Sequence, residues 1–157
     1  MKHIILYLED EAFMRSSTTG HLSDDLKKTL KDQEYVVEDF RRIDQAEECF
    51  EDNKENIICV ITDLNMSDEW LDGYEGDTEG GMISGWVWLQ ECVYREAPNM
   101  PTVIYSAYIS FLEEFLEKRG TLNLLHGKDN IALVNKGSEE DDGFRGLIIA
   151  LRKLGVL

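Results

Sequence analysis

The sequence predicts an α/β protein built on a doubly wound, five-stranded parallel sheet. Five short apolar runs of strand length recur along the chain, and segments with helical periodicity separate them. The runs at 4–8 and 57–61 are apolar at every position, which is typical of central strands that helices cover on both faces. Because 157 residues make one ordinary domain, we expect a single domain spanning residues 1–157.

The first strand and the helix after it are marked by apolar spacing. The strand is expected at residues 4–8, and leucines at every fourth position then predict a helix that reaches about Asp32. Gly20 and the hydroxyl residues before it favour a late start or a kink in this helix. A β-branched pair after Tyr35 predicts a short second strand at residues 35–37.

The middle of the chain carries the most apolar strand and the longest loop. Apolar residues at i, i+3 and i+4 around Ala46 predict a second helix, and the third strand follows at residues 57–61. A long acidic loop comes next. Trp86, Leu89 and Val93 then predict a third helix, with the tryptophans as packing residues.

The last third repeats the alternation of strand and helix. A fourth strand is expected at residues 102–105, and the helix after it ends at Gly120. A fifth strand at residues 131–134 precedes a final helix with apolar positions from residue 144 to 154. Ser138 and the acidic residues after it predict the N-terminal cap of that helix.

The composition excludes several classes of function. Thirty-two acidic residues against 16 lysines and arginines give a formal charge of −16, which would repel a nucleic-acid backbone. We therefore expect no direct binding of nucleic acid. No apolar run reaches the roughly 18 residues of a membrane span, so we expect no membrane insertion and a cytoplasmic location. The three cysteines, Cys49, Cys59 and Cys92, lie far apart, which favours reduced thiols.

Polar residues that could carry chemistry follow four of the five predicted strands. Glu9 and Asp10 follow the first strand, Asp63 follows the third, Ser106 ends the fourth and Lys136 follows the fifth. In doubly wound sheets, ligands bind beyond the carboxyl ends of the strands. We therefore expect these side chains to converge at one edge of the sheet.

The residue types at this edge suit phosphoryl chemistry. Three carboxylates repel one another unless a cation neutralises them, and oxygen ligands favour Mg²⁺. A lysine and a hydroxyl aimed at the same point can bind a phosphoryl group. A carboxylate can accept that group as an acyl phosphate. The sequence thus predicts a magnesium-dependent phosphoryl acceptor with Asp63 as its nucleophile.

The motifs resemble the receiver domain of two-component response regulators, over nearly the whole chain. The resemblance rests on four segments in the right order, which are Tyr7-Leu8-Glu9-Asp10-Glu11, Val60-Ile61-Thr62-Asp63-Leu64-Asn65-Met66, residues 101–107 and Leu133-Val134-Asn135-Lys136. It implies a flavodoxin-like fold with strand order 2-1-3-4-5. It also implies that Asp10 binds Mg²⁺ directly and that Glu9 lies nearby or binds through water.

The resemblance assigns a role to four further groups. Asp63 would be both the phosphoryl acceptor and a metal ligand, and the backbone carbonyl of Asn65 would be another ligand. Ser106 and Lys136 would contact the phosphoryl oxygens. A histidine kinase or a histidine phosphotransfer protein would supply the phosphoryl group. Because the sequence ends at Leu157, soon after the last helix, we expect a stand-alone receiver that is not an enzyme and signals through a partner protein.

The sequence also departs from the receiver pattern. Ser67 and Gly137 stand where the family usually has proline, and Leu133 stands where it often has a switch aromatic. The largest departure is an insertion at residues 67–84, which carries six acidic residues, four glycines and no basic residue. We predict that this insertion is a mobile lid or a partner-binding loop, with passive surface as the alternative.

Two other functions stay open from the sequence. Leu133, Gly137 and the insertion are also compatible with a receiver-like interaction module that no longer takes a phosphoryl group. A phosphatase of the haloacid-dehalogenase type likewise uses a strand-end aspartate as nucleophile. That class needs a second aspartate two residues later, where this chain has Asn65.

Overall fold

A parallel sheet forms the centre of the protein. The computed structural model describes residues 2–29, 34–71, 73–136 and 144–157. Within them, five strands pair in parallel in the order β2-β1-β3-β4-β5, which confirms the predicted topology. The strands are β1 (His3–Leu8), β2 (Tyr35–Phe40), β3 (Ile57–Thr62), β4 (Thr102–Ser106) and β5 (Ile131–Asn135).

Five helices connect and follow the strands within the described ranges. Their bounds are α1 (Ala12–Thr29), α2 (Ile43–Asn53), α3 (residues 84–96), α4 (Ile109–Lys118) and α5 (Phe144–Lys153). Helix α3 begins as the α-helical segment Ser84–Trp88, passes through a π-helical turn at Leu89–Val93 and ends with Tyr94–Glu96. Such π turns are rare and locally widen a helix.

The expected late start of α1 is wrong. This helix begins at Ala12 and continues through Gly20. Its first turn is capped by the Glu11 carboxylate, which accepts hydrogen bonds from the backbone N–H groups of Phe13 and Met14 at 3.2 and 2.5 Å. Gly20 is exposed, so it costs the helix only its low propensity, about 1 kcal/mol relative to alanine.

The second strand is longer than the run at 35–37 that predicted it. Its parallel pairing with β1 continues as far as Leu8 opposite Phe40. Ladder hydrogen bonds therefore extend the strand through acidic residues of low strand propensity. The predicted end of α1 near Asp32 and the predicted cap at Ser138 lie outside the described residues.

Alternating residues of the strands pack on two separate cores. Leu6 and Leu8 of β1 point to the layer formed by α2, α3 and α4, while Ile5 and Tyr7 point to α1 and α5. Trp88 is fully buried in the first core, as expected for a packing residue. The two cores fix the sheet between its helix layers and leave its carboxyl edge free for function.

The first turn of α3 lies against the end of β3. A Cβ atom on Gly85 would lie 1.9 Å from the backbone oxygen of Asp63 and 3.0 Å from the Thr62 hydroxyl. The Gly85 N–H also donates to the backbone oxygen of Leu64 at 3.0 Å. Only glycine allows this approach, so Gly85 fixes α3 directly to the loop that carries Asp63.

We predict that Gly85→Ala destabilises the protein by about 3 kcal/mol, the upper end of overpacking costs, because its new methyl group meets backbone rather than a movable side chain. Gly20→Ala is the matched control, since no atom lies within 4 Å of its Cβ position and α1 is helical there. We expect that variant to gain up to about 1 kcal/mol. Urea unfolding measures both changes, and equal midpoints for Gly85→Ala and the unmodified protein would contradict the packing described.

Candidate functional site at the carboxyl edge of the sheet

Backbone pairing places two of the candidate residues one step beyond their strands. The Asp63 N–H donates to the backbone oxygen of Leu8 at 3.0 Å, and the Lys136 N–H donates to that of Ser106 at 3.1 Å. Each bond continues the ladder of the neighbouring strands. The side chains that follow β1, β3 and β5 are therefore held at the same edge by the sheet itself.

Three carboxylates meet at this edge. One oxygen each of Glu9, Asp10 and Asp63 lies within 4.8 Å of the other two. Glu9 is 2 % exposed and Asp63 is 8 % exposed, while Asp10 faces solvent. Their oxygens form a hard donor set with one open side, which fits a magnesium ion that keeps some of its water.

The ammonium of Lys136 lies between the two buried carboxylates. Its Nζ is 2.8 Å from Oε2 of Glu9 and 2.8 Å from Oδ2 of Asp63, and its side chain is 11 % exposed. When all three carboxylates are ionised, the one ammonium leaves two negative charges in excess. A divalent cation would balance them, so the charge of the site also fits Mg²⁺.

Asp63 is held in its ionised form by its hydrogen bonds. Burial alone would raise the pKa of Asp63, but hydrogen bonding with Glu9, the Lys136 ammonium and the Ser106 side chain together lower it below its ordinary value. The other Asp63 oxygen, Oδ1, accepts from the Leu64 N–H at 2.7 Å. The carboxylate of Asp63 is thus fixed by both of its oxygens.

The pKa values of Glu9 and Asp10 are raised, whereas that of Asp63 is lowered. Burial, and then the neighbouring Asp63 carboxylate, raise the pKa of Glu9. Partial desolvation, and then the Asp63 charge, also raise the pKa of the more exposed Asp10. Negative charge is therefore concentrated on Asp63, the most fully ionised of the three carboxylates.

The Ser106 hydroxyl lies at the end of β4, the strand next to the one that Asp63 follows. Its Oγ accepts a hydrogen bond from the Tyr108 N–H at 3.1 Å, which orients it at the start of α4. Ser106 is fully buried, and its side chain helps to lower the pKa of the neighbouring Asp63 carboxyl. A hydroxyl and an ammonium thus approach one carboxylate from two strands.

The structure brings five of the six predicted site residues into contact at one edge, namely Glu9, Asp10, Asp63, Ser106 and Lys136. The sixth, Asn65, lies two residues beyond Asp63 and is partly buried. Gly137, which stands where the receiver family usually has proline, lies outside the described residues. The roles of these residues toward a metal or a phosphoryl group stay predictions.

Sequence reasoning missed two supporting contacts of the site. Arg15 of α1 donates from Nη1 to the backbone oxygen of Glu9 at 2.9 Å, which ties α1 to the end of β1. Gly81 adopts a φ of 96°, and a Cβ there would lie 2.8 Å from the backbone oxygen of Met66. The Gly80-Gly81 pair could have indicated such a turn, whereas no local signal marks Arg15.

The insertion packs across one helix layer. Its Tyr74 hydroxyl donates to Glu47 of α2 at 2.6 Å, and Arg119, just after α4, donates to its Asp77 at 3.2 Å. Between these contacts, the Glu91 carboxylate of α3 accepts from the N–H groups of Glu75 and Gly76 at 3.0 and 2.9 Å. The described part of the insertion therefore contacts α2, α3 and the end of α4, and its role as a lid or partner-binding loop stays a prediction.

The fold is shared with known receiver domains. No protein-family model matches the sequence, and no curated protein matches it. A response regulator receiver domain protein from Clostridium thermocellum is 17% identical with a TM-score of 0.59, over 98% of both chains. The receiver domain of the hybrid histidine kinase CckA is 17% identical with a TM-score of 0.60, over 98% of this chain and 99% of that one.

A larger enzyme also contains a similar unit. The lysine decarboxylase LdcF of Francisella novicida matches 97% of this chain with 17% of its own, at 13% identity and a TM-score of 0.51. At such identities these likenesses establish the fold. The chain has the flavodoxin-like fold of response regulator receiver domains, as the motifs predicted.

We predict that Lys136→Met lowers the free energy of unfolding by about 3–5 kcal/mol in buffer without divalent metal, because it leaves two buried carboxylates without their cation. Lys118→Met is the matched control. Lys118 pairs with Glu114 on the exposed surface of α4, with side chains 74% and 67% exposed, so its loss should cost less than about 1 kcal/mol. Denaturant unfolding measures the free energy of unfolding of both variants. Equally small losses in the two would show that the ion pairs of Lys136 do not stabilise the protein.

Proposed function

We propose that this chain is a response regulator receiver. It accepts a phosphoryl group on Asp63 from a histidine kinase or a histidine phosphotransfer protein. The observation that carries the proposal is the Lys136 ammonium, 2.8 Å from both Asp63 and Glu9, beside the exposed Asp10 carboxylate. The receiver fold supports it, because Glu9, Asp63 and Lys136 follow the strands at whose ends the motifs predict the site.

The donor set of the acidic cluster supports a bound magnesium ion. Asp10 and Asp63 would bind it directly, with Glu9 nearby and the Asn65 carbonyl as an expected further ligand. When bound, Mg²⁺ supplies positive charge to a phosphoryl oxygen and offsets the excess negative charge of the site. Asp10 is the exposed member of the cluster, so exchange with solvent would take place on its side.

Asp63 acts as the nucleophile in this proposal. A bond forms between one of its carboxylate oxygens and phosphorus, while the bond from phosphorus to the donor histidine nitrogen breaks. The donor imidazole leaves with the electron pair of that bond. Asp63 needs no base to activate it, since its lowered pKa keeps it ionised at neutral pH.

Lys136 and Ser106 would bind the transferred group. Lys136 already contacts Oδ2 of Asp63, so a short movement brings its ammonium to the phosphoryl oxygens. Ser106 approaches from the neighbouring strand and offers a hydroxyl donor. Neither residue belongs to the carboxylate set proposed for the metal.

Output would pass through a partner protein in the cytoplasm. Among the helices that the structure describes, none has the length and apolar character of a membrane span. The strongly acidic surface disfavours direct contact with nucleic acid. A phosphatase is the weaker candidate, because the position two residues after Asp63 is the amide Asn65 rather than a carboxylic acid.

We predict that Asp63→Asn abolishes covalent phosphorylation, because an amide of the same size has no nucleophilic carboxylate. Intact-mass measurement after incubation with acetyl phosphate and Mg²⁺ should show one added phosphoryl group on the unmodified protein and none on the variant. Asp24→Asn, an exposed position of α1, is the control and should be phosphorylated normally. A phosphoryl adduct on Asp63→Asn would reject the assigned acceptor, and no adduct on any form would favour the interaction module.

We predict that one variant impairs Mg²⁺ binding and that another impairs phosphoryl transfer without affecting Mg²⁺ binding. Asp10→Asn should bind Mg²⁺ at least about tenfold more weakly, a loss of ~1.4 kcal/mol, because it removes a charged ligand. Ser106→Ala should bind Mg²⁺ as tightly as the unmodified protein and be phosphorylated more slowly. Calorimetric titration and the rate of the mass change measure the two effects. Unchanged Mg²⁺ affinity in Asp10→Asn would mean that the metal site is misplaced.

A further inference from the structure

The Lys136 side chain has to cross a strand to reach its partners. Lys136 follows β5, which is an outermost strand of the sheet, whereas Asp63 follows β3 and Glu9 follows β1. Strand β4 lies between β5 and β3. Because neighbouring strands are about 4.8 Å apart, the lysine must extend over the end of β4 to place its ammonium between the two carboxylates.

An aromatic ring lies where the lysine crosses. Tyr105 is the residue before Ser106 on β4, and it is 1 % exposed. Its side chain belongs to the core shared with α1 and α5, on the same face of the sheet as Tyr7. The Nζ of Lys136 lies 5.1 Å from the centre of the Tyr105 ring, within the range of a cation–π interaction.

We propose that Tyr105 is a positioning residue that holds the Lys136 ammonium at the carboxyl edge of the sheet. The two ion pairs attract that charge more strongly than the ring does, but the pair with Asp63 cannot survive unchanged when Asp63 is modified. The ring's attraction is independent of the state of Asp63. The ring therefore keeps the ammonium near Asp63 while the ionic partner of the ammonium changes from the carboxylate to a phosphoryl oxygen.

Tyr105 and Ser106 are adjacent in β4, so their side chains lie on opposite faces of the sheet. Successive side chains of a strand point to opposite faces, so Tyr105 supports the lysine on one face and Ser106 presents its hydroxyl on the other. The kinetic part of this inference rests on the proposed function. The placement of Lys136 by the ring does not, and it can be measured without any phosphoryl group.

Three variants separate the ring from the hydroxyl and from general packing. Tyr105→Phe keeps the ring, and Tyr105→Leu removes it. Val103→Ala is the packing control, since Val103 is fully buried two residues earlier on the same strand and in the same core. Proton NMR of the Lys136 ε-methylene group, assigned with Lys136→Met, reports the ring through its upfield shift. The rate of phosphorylation by acetyl phosphate with Mg²⁺, per folded molecule, reports the consequence.

We expect Tyr105→Leu to lose the upfield shift and to be phosphorylated roughly 2- to 30-fold more slowly, the range that corresponds to a cation–π contact. Tyr105→Phe and Val103→Ala should retain both. An unchanged Lys136 resonance in Tyr105→Leu, or equal losses in the Phe and Leu variants, would overturn the inference. If the unmodified protein takes no phosphoryl group, the proposed function fails, and the NMR comparison still decides the role of Tyr105.

Discussion

The contacts of the Lys136 ammonium with Glu9 and Asp63 are the constraint on which the candidate site depends. Burial to 2 % and 8 % exposure costs Glu9 and Asp63 several kcal/mol of solvation each when their carboxylates are ionised. One ammonium at 2.8 Å from both offsets that cost. Because its three members follow β5, β1 and β3, the sheet order itself creates the site. The ring of Tyr105 on β4 also contacts this ammonium, with its centre 5.1 Å from Nζ.

The second constraint is the close packing of the backbone around Asp63. Gly85 brings the first turn of α3 against the Asp63 carbonyl, and Gly81 brings the end of the insertion against Met66. The Ser84 hydroxyl also donates to the Met66 carbonyl at 2.9 Å. Both ends of the insertion are thus fixed next to the proposed acceptor, and its middle contacts three helices. These contacts connect the backbone around Asp63 to the insertion, which is the segment that departs most from the receiver pattern.

Sequence reasoning was reliable where one physical signal dominates. Continuous apolar runs gave the strands, and polar residues at strand ends gave Glu9, Asp10, Asp63, Ser106 and Lys136, because parallel strands bring their carboxyl ends together. It failed where tertiary contacts override local preference. The Glu11 cap starts α1 early, and pairing with β1 lengthens β2. Close approaches such as that of Gly85, and the ring contact of Tyr105, depend on the distance between elements far apart in sequence, which spacing does not report.

A crystal structure with Mg²⁺ and beryllofluoride tests the central claim most directly. The account predicts beryllium bound to a carboxylate oxygen of Asp63 and Mg²⁺ on Asp63 and Asp10. It also predicts that the Lys136 ammonium moves from Asp63 to a fluorine while it stays over the Tyr105 ring. Beryllofluoride on another residue would contradict the account. So would an ion pair of Lys136 with Asp63 and Glu9 that is unchanged at saturating beryllofluoride.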